Sequence, residues 1–512
     1  MCCCEIEIQR RTFLGMTAGI AAGMGVPILS PGQQVRGGAW APDLWDPQRP
    51  FAVRGRPLEI QPILMYRVPE RREAASWKSW GGVQTLEAAS AEADRISGEL
   101  KAISSNAGLP LGILPVAKVT TVEEAQSLCA GRHDAVVLYP AAGSGDLLRA
   151  CLSASDNTII FVRHRSGPVY YWYEALSTRY LQPRQKRAVQ DGGVATRGVS
   201  VDDVAVDDPS ELATRLRALY AVRNFVGSRI VALGGPWGKY AADAPERAKQ
   251  QFKLEILDAS YDDIGRRIEG VRNDRRLTSQ AEKWTDAYAS VPGTRLESDR
   301  RFVVNAFLLY GVLKDLLREH GASVFTINRC MGTILPMAQT TACLTLSLLN
   351  DEGLVAFCES DFVIIPAGIL LHYISGKPVF LHNSTFPHKA VVTCAHCTAP
   401  RRMDGVRYEP ARILTHYESD YGAATKVDMP VGQEVTFINP EFASGRWLGM
   451  KGLVEANPFY EICRSQQDVR IHGDWERLLD EVRDSHWVMA YGDCLQELGH
   501  AARRIGITWE TI

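Results

Sequence analysis

Glu359, Ser360 and Asp361 stand directly after one apolar run, Leu354–Cys358, and directly before another, Phe362–Ile374. The first run has the length and composition of a buried strand and the second those of a helix. That order puts the polar triplet beyond the carboxyl end of a strand, where open α/β sheets bind their ligands. Carboxylates in such a place can ligate a cation or move a proton. Helix capping is the ordinary alternative: Ser360 or Asp361 would satisfy free N–H groups, and acids near a helix start suit its dipole. Capping accounts for one acid, and Pro366 marks the first turn as irregular. It gives Glu359 no reason to end a strand. Glu359 and Asp361 are therefore the candidate catalytic carboxylates.

Histidines end other apolar runs. Pro378–Leu381 leads into His382 and Asn383, Val391–Ala395 into His396, and His486 opens the run that finishes at Tyr491. One histidine at a strand end is more often a hydrogen-bonded structural residue than a ligand. The combination of these histidines with Glu359 on separate strand ends raises the odds of a functional site. Arg163 and His164 follow the run Thr158–Val162, and the aromatic stretch 170–173 comes soon after. These groups could hydrogen-bond and stack on a sugar, although burial of the rings in the core explains them as well. His416, Glu418 and Asp420 alternate along an expected strand and so share one face, of a site or of the solvated surface. Two signatures fail. The stretch Gly234–Lys239 lacks the first glycine of a phosphate loop, with Leu233 in its place, and Cys394-Ala395-His396-Cys397 has no second cysteine pair at zinc-finger spacing.

Taken together, Cys358-Glu359-Ser360-Asp361, Ser375-Gly376-Lys377-Pro378, His396-Cys397 with Ala399-Pro400, and His486 ahead of Asp493 resemble the L-fucose/L-arabinose isomerase superfamily. The resemblance covers residues 323–512. It implies two N-terminal α/β domains, a β-barrel-like C-terminal domain and an oligomeric active site, in a trimer or hexamer, that holds Mn²⁺, with Mg²⁺ or Zn²⁺ as substitutes. By position it implies Glu359, His396 and His486 as metal ligands, with Glu359 also an acid/base. Asn383 departs from the pattern, because that strand would ordinarily end in a carboxylate. An amide oxygen can still ligate a cation, but it is no base at neutral pH. The implied activity is a metal-dependent isomerisation of a monosaccharide or sugar derivative through an enediol-type intermediate. The alternative is an exported carbohydrate-binding protein that has lost the reaction. Arg163, His164 and His416 are the candidate substrate-binding residues.

The elements that must position these residues follow from periodicity. Leu58–Met65, Leu111–Val116, Ala135–Tyr139 and Thr158–Val162 read as buried strands, and Thr85–Ser104, Val122–Ala130 and Asp146–Ser153 as amphipathic helices between them. Ile230–Leu233, Ser323–Ile327 and Leu354–Cys358 repeat the pattern, and Pro378–Leu381 is assigned with them. From about Val391 strands follow one another without helices, through Ile413–Tyr417 and Glu434–Ile438, and the chain closes with a helix at Asp474–Arg483, a strand at His486–Ala490 and a helix at Leu495–Ile505. The expected architecture is α/β: two Rossmann-like open parallel-sheet domains, 57–225 and 226–390, and a β-rich barrel-like domain, 391–512. Arg10-Arg11-Thr12-Phe13-Leu14 with the mildly apolar stretch to Leu29 has the form of a twin-arginine export signal, 1–41, followed by a linker, 42–56. The stretch is shorter than the about 20 residues of a membrane span. Export to the periplasm without stable membrane insertion is expected.

Composition bounds the rest. The 512 residues exceed one ordinary core. With 57 basic against 59 acidic residues the chain has no field that would call for a nucleic-acid partner. Most of the 12 cysteines read as buried thiols, since disulfide frameworks belong to short, cysteine-dense chains.

Overall fold

A computed structural model of the chain describes residues 40–172, 175–182, 199–441, 445–481, 483 and 486–512. Residues 1–39 of the expected export signal, with Arg10 and Arg11, and Tyr173 lie outside the described residues, and Trp40, within the expected segment, is buried.

The first sheet is parallel and contains β1 (Leu58–Met65), β2 (Leu111–Ile113), β3 (Ala117–Val119), β4 (Ala135–Pro140), β5 (Thr158–Val162) and β6 (Val204–Val206). Its order is β2-β1-β4-β5-β6, with β3 also paired to β1. β4 and β5 are buried along their whole length, as strands covered on both faces must be. The intervening helices start where local chemistry starts them. Thr85 and Ser144 cap theirs with their hydroxyls, and Thr121 forms a reciprocal capping box with Glu124.

The second sheet has the order β11-β10-β7-β8, from β7 (Arg229–Leu233), β8 (Glu255–Ala259), β10 (Val324–Ile327) and β11 (Val355–Cys358), again all parallel. β9 (Thr294–Leu296) leaves this sheet and pairs with β14 (Ala411–His416), which pairs with β15 (Tyr421–Val427).

The last region is a closed antiparallel barrel of six strands. Around it run β16 (Glu434–Pro440), β19 (His486–Tyr491), β12 (Phe380–Ser384), β13 (Val391–His396), β18 (Ser465–His472) and β17 (Arg446–Ala456), which returns to β16. β20 (Thr508–Thr511) adds to β17 in parallel. Phe380, Val392, Cys394, Phe437, Met450, Trp487 and Met489 fill one packed cluster in this region. The architecture is thus the expected one of two parallel-sheet regions and a barrel. Two assignments change. β12 pairs with β13 and β19, so the run Pro378–Leu381 opens the barrel and does not extend the central sheet. A short apolar run carries no mark of its partner, and of the two here β13 is the next strand while β19 is distant in sequence. β14 stops at His416, and the chain turns through Asp420, which has φ +46°, so Glu418 and Asp420 do not alternate along a strand.

Candidate functional site

β11 ends at Cys358, and the next two residues break from the sheet sharply: Glu359 has φ +69° and Ser360 φ +49°. Two successive non-glycine residues in the left-handed region cost free energy, and such outliers persist where surrounding contacts over-determine them. Those contacts come from the turn after β7, the stretch that imitates a phosphate loop. The Trp237 N–H donates to the Ser360 carbonyl at 3.1 Å, and the Phe362 N–H donates to the Trp237 carbonyl at 2.8 Å. The Lys239 N–H donates to Asp361 Oδ1 at 3.0 Å. Gly234 and Gly235, at φ +78° and +86°, let the chain reverse into this position.

Asp361 is fully buried, and its two oxygens are divided between structure and site. Oδ1 also accepts the Val363 N–H at 3.1 Å, a contact within the turn before the helix Ile365–Ser375, whose N-cap is Ile364 with no side-chain hydrogen bond, so neither Ser360 nor Asp361 caps that helix. Oδ2 lies 2.6 Å from His486 Nδ1. His486 Nε2 then faces Glu359 Oε2 at 3.2 Å, and Glu359 Oε1 lies 3.6 Å from His396 Nε2. The other ring nitrogen of His396 is 3.0 Å from the Thr398 hydroxyl. Each imidazole is held at Nδ1 by a second group and presents Nε2 to one carboxylate. Burial alone would push Glu359 upward and His486 downward. The contacts with His396 and His486 outweigh it and hold Glu359 well below the usual carboxylate range, while Asp361 and Glu359 raise His486 to about 9. The Glu359 side chain is 41% exposed, whereas the His486 and His396 side chains are 2% and 6% exposed. The carboxylate is therefore the part of the site that a dissolved ligand meets.

The donor types, a carboxylate and two imidazoles, are ones that divalent cations take. Donors at the about 2.0–2.2 Å of metal–nitrogen and metal–oxygen bonds stand about 3 Å from one another, close to the two separations above. A histidine ligand normally gives its other ring nitrogen to a carboxylate or similar group, as His486 does to Asp361. Among the described residues no group of three or more His, Cys, Asp or Glu side chains is arranged so that it could hold a metal ion. Glu359, His396 and His486 form an open chain of two contacts.

The other expected residues fall at different distances from this centre. Asn383 is half-buried and directly opposite His486 in the β12–β19 ladder, so the two side chains leave the sheet on the same face. His416 is buried, with Nδ1 3.4 Å from the Ser419 hydroxyl; burial, with a smaller contribution from His396, lowers its pKa. Arg163 and His164 belong to the first sheet. Arg163 is 1% exposed and bound to Glu92 at 2.6 Å, Glu99 at 2.7 Å and the Tyr170 hydroxyl at 3.1 Å, which is a structural ion-pair network. His164 is exposed on a loop whose N–H groups at 164, 165 and 166 all donate to Asp207.

Sequence reasoning passed over three participants. The turn 234–240 was rejected as a nucleotide signature, and the glycine pair after a strand was the available signal for its turn. Thr398 carried no signal. His382 is buried, its Nε2 has no hydrogen-bond partner among the described residues, and burial together with the nearby His396 lowers it to about 3. Comparison of the chain with protein-family models and with curated proteins returned no match.

Proposed function

We propose that the chain is a divalent-metal-dependent enzyme that moves a proton on a sugar or sugar derivative, with isomerase chemistry as its reaction class. The observation that carries this reading is the Glu359 carboxylate set between the Nε2 atoms of two buried histidines, one of them oriented by a buried aspartate. Glu359, His396 and His486 would hold the cation, Mn²⁺ first and Mg²⁺ or Zn²⁺ as substitutes, and Asn383 would add a neutral amide oxygen. When bound, the cation supplies a positive charge that stabilises an oxyanion beside the carbon losing its proton. Glu359, partly exposed and ionised, accepts that proton and returns it to the neighbouring carbon. Asp361 fixes the ring of His486. The resemblance drawn from the sequence supports the sugar as substrate and a trimeric or hexameric assembly, and export is proposed on the stretch that begins Arg10-Arg11.

Purified protein is expected to carry stoichiometric metal, and chelation to abolish exchange of solvent hydrogen into a sugar beside its carbonyl. Glu359→Gln should remove metal and exchange together. Exchange by fully metal-free protein refutes the proposal. A second reading, a sugar-binding protein without turnover, is favoured by Asn383, which stands opposite His486 without a negative charge. Calorimetric sugar binding with no hydrogen exchange would select it.

A further inference from the structure

The nine cysteines among the described residues are all free thiols, and two of them lie beside the Glu359 segment. Cys358 is the last residue of β11, and Cys330 is the first residue of the helix Cys330–Ala338 that follows β10. Their sulfurs are 3.7 Å apart. β10 and β11 are hydrogen-bonded neighbours with Ile327 opposite Cys358, so main-chain register brings the two thiols together. Their exposure is unequal: Cys358 is buried and Cys330 half-buried. No side chain caps the helix at Cys330, and its unsatisfied N–H groups favour the thiolate. A reachable thiolate with a second thiol behind it is the arrangement of an attacking and a resolving cysteine. The cluster of Cys343, Cys397 and Cys463 shares single features with this pair: Cys397 is buried and Cys463 half-buried, but neither opens a helix, while Cys343 opens one and is buried. Cys394 lies in the barrel cluster, apart from Cys397.

We propose that Cys330 and Cys358 form a reversible dithiol–disulfide site whose oxidant is a small hydroperoxide, placed so that its oxidation weakens cation binding at Glu359. The Cys330 thiolate attacks one peroxide oxygen, the O–O bond breaks, Cys330 becomes a sulfenic acid and the leaving oxygen is protonated and departs as water or alcohol. The Cys358 sulfur then attacks the Cys330 sulfur, the S–O bond breaks, a second water leaves and the S–S bond forms. Two thiols lose two electrons and two protons, which the peroxide takes up. An external dithiol reverses the step by exchange. Closing the bond displaces Cys358, whose carbonyl carbon is bonded to Glu359, and the left-handed conformations of Glu359 and Ser360 leave that segment little freedom to absorb the shift. The cation-binding half of the proposal rests on the reading of the site given above.

The test uses the full chain, reduced, freed of reductant and held in chelator, treated with one equivalent of hydrogen peroxide and quenched with an alkylating agent. Peptide mass mapping is expected to show Cys330 and Cys358 joined, two hydrogens lighter than the dithiol, and separated again by dithiothreitol. The exposed Cys129 should remain alkylated as a thiol. In Cys358→Ser the oxidation should stop at a Cys330 sulfenic acid that dimedone traps, and in Cys330→Ser the Cys358 thiol should survive. Cys330 and Cys358 both alkylated after peroxide, or Cys397 and Cys463 joined in their place, would overturn the site. With chelator removed, Mn²⁺ titration should show at least about tenfold weaker binding by the oxidised chain, the order expected when support for a ligand is lost. Equal Mn²⁺ affinity of the two forms would overturn the link to Glu359. A reduced chain that binds no Mn²⁺ would refute the metal reading and leave the cross-link result intact.

Discussion

Asp361 decides what His486 can do. A buried carboxylate 2.6 Å from Nδ1 keeps that nitrogen protonated, so that a cation at the site would displace the proton of Nε2 alone. Asp361→Asn keeps the shape and removes the charge, so metal affinity should fall about 10- to 100-fold, as for other groups that orient a ligand. Competition with a chromophoric chelator measures it, and unchanged affinity would show that Asp361 serves only to hold the turn through the Lys239 and Val363 N–H groups. Asn383 offers the opposite test. Asn383→Asp places a negative charge on the face that carries His486, and metal affinity should rise by about tenfold through a charge-assisted contact. If calorimetry finds no change while Glu359→Gln still loses its metal, Asn383 lies outside the coordination sphere.

At the scale of elements, the site depends on a turn with no chemistry of its own. The segment 234–240 fastens to residues 360–362 through main-chain hydrogen bonds and one carboxylate, and it keeps Glu359 in its unusual conformation. Gly238 is its tight point, because a Cβ there would meet the Ala241 carbonyl oxygen at 2.2 Å. Gly238→Ala should therefore destabilise the fold by about 1–3 kcal/mol, as overpacking does. The same change should weaken metal binding by moving the Lys239 N–H away from Asp361. Thermal unfolding and metal titration read the two effects separately. A variant with lowered melting temperature and unaltered affinity would show that Glu359 is held by its own sheet alone.

At the scale of the whole molecule, one hydrophobic cluster runs through all three regions: Ile60 and Phe161 of the first sheet, Val355 of the second, Val488 of β19 and the helix at Leu498 belong to it. Buried polar groups within such a core set its response to acid. His372 is 1% exposed, with Nδ1 2.8 Å from the Lys377 carbonyl, and burial lowers it to about 4. A depressed folded-state pKa means that the unfolded chain binds the proton more readily. Stability from His372 is thus fully present above its ordinary value of 6.5 and is lost as pH falls through about 4. The loss is on the order of 3 kcal/mol, and His372→Gln should show a correspondingly smaller decline between these limits in urea unfolding. An identical decline would assign the acid sensitivity to other groups. Arg163→Met should cost about 3–5 kcal/mol by leaving Glu92 buried without its partner. Sugar and metal binding should be unaffected, and a selective loss of sugar binding would restore Arg163 to the substrate site.

Sequence alone determined the elements whose signals are local. The apolar runs of β1, β4, β5, β7, β10 and β11 and the amphipathic helices between the first strands were legible because burial on both faces of a strand, or on one face of a helix, leaves a mark within a few residues. Glu359, Asp361, His396 and His486 were legible as polar side chains at the ends of such runs. Tertiary structure alone decided their relations. Register across β12 and β19 put Asn383 opposite His486, closure of the barrel took β12 from the central sheet, and the turn after β7 reached Asp361. Burial of Arg163 between Glu92 and Glu99 likewise turned an apparent ligand contact into part of the core. Each of these contacts joins residues far apart in the chain, and a hydrogen bond between distant residues leaves no periodicity in the sequence of either one.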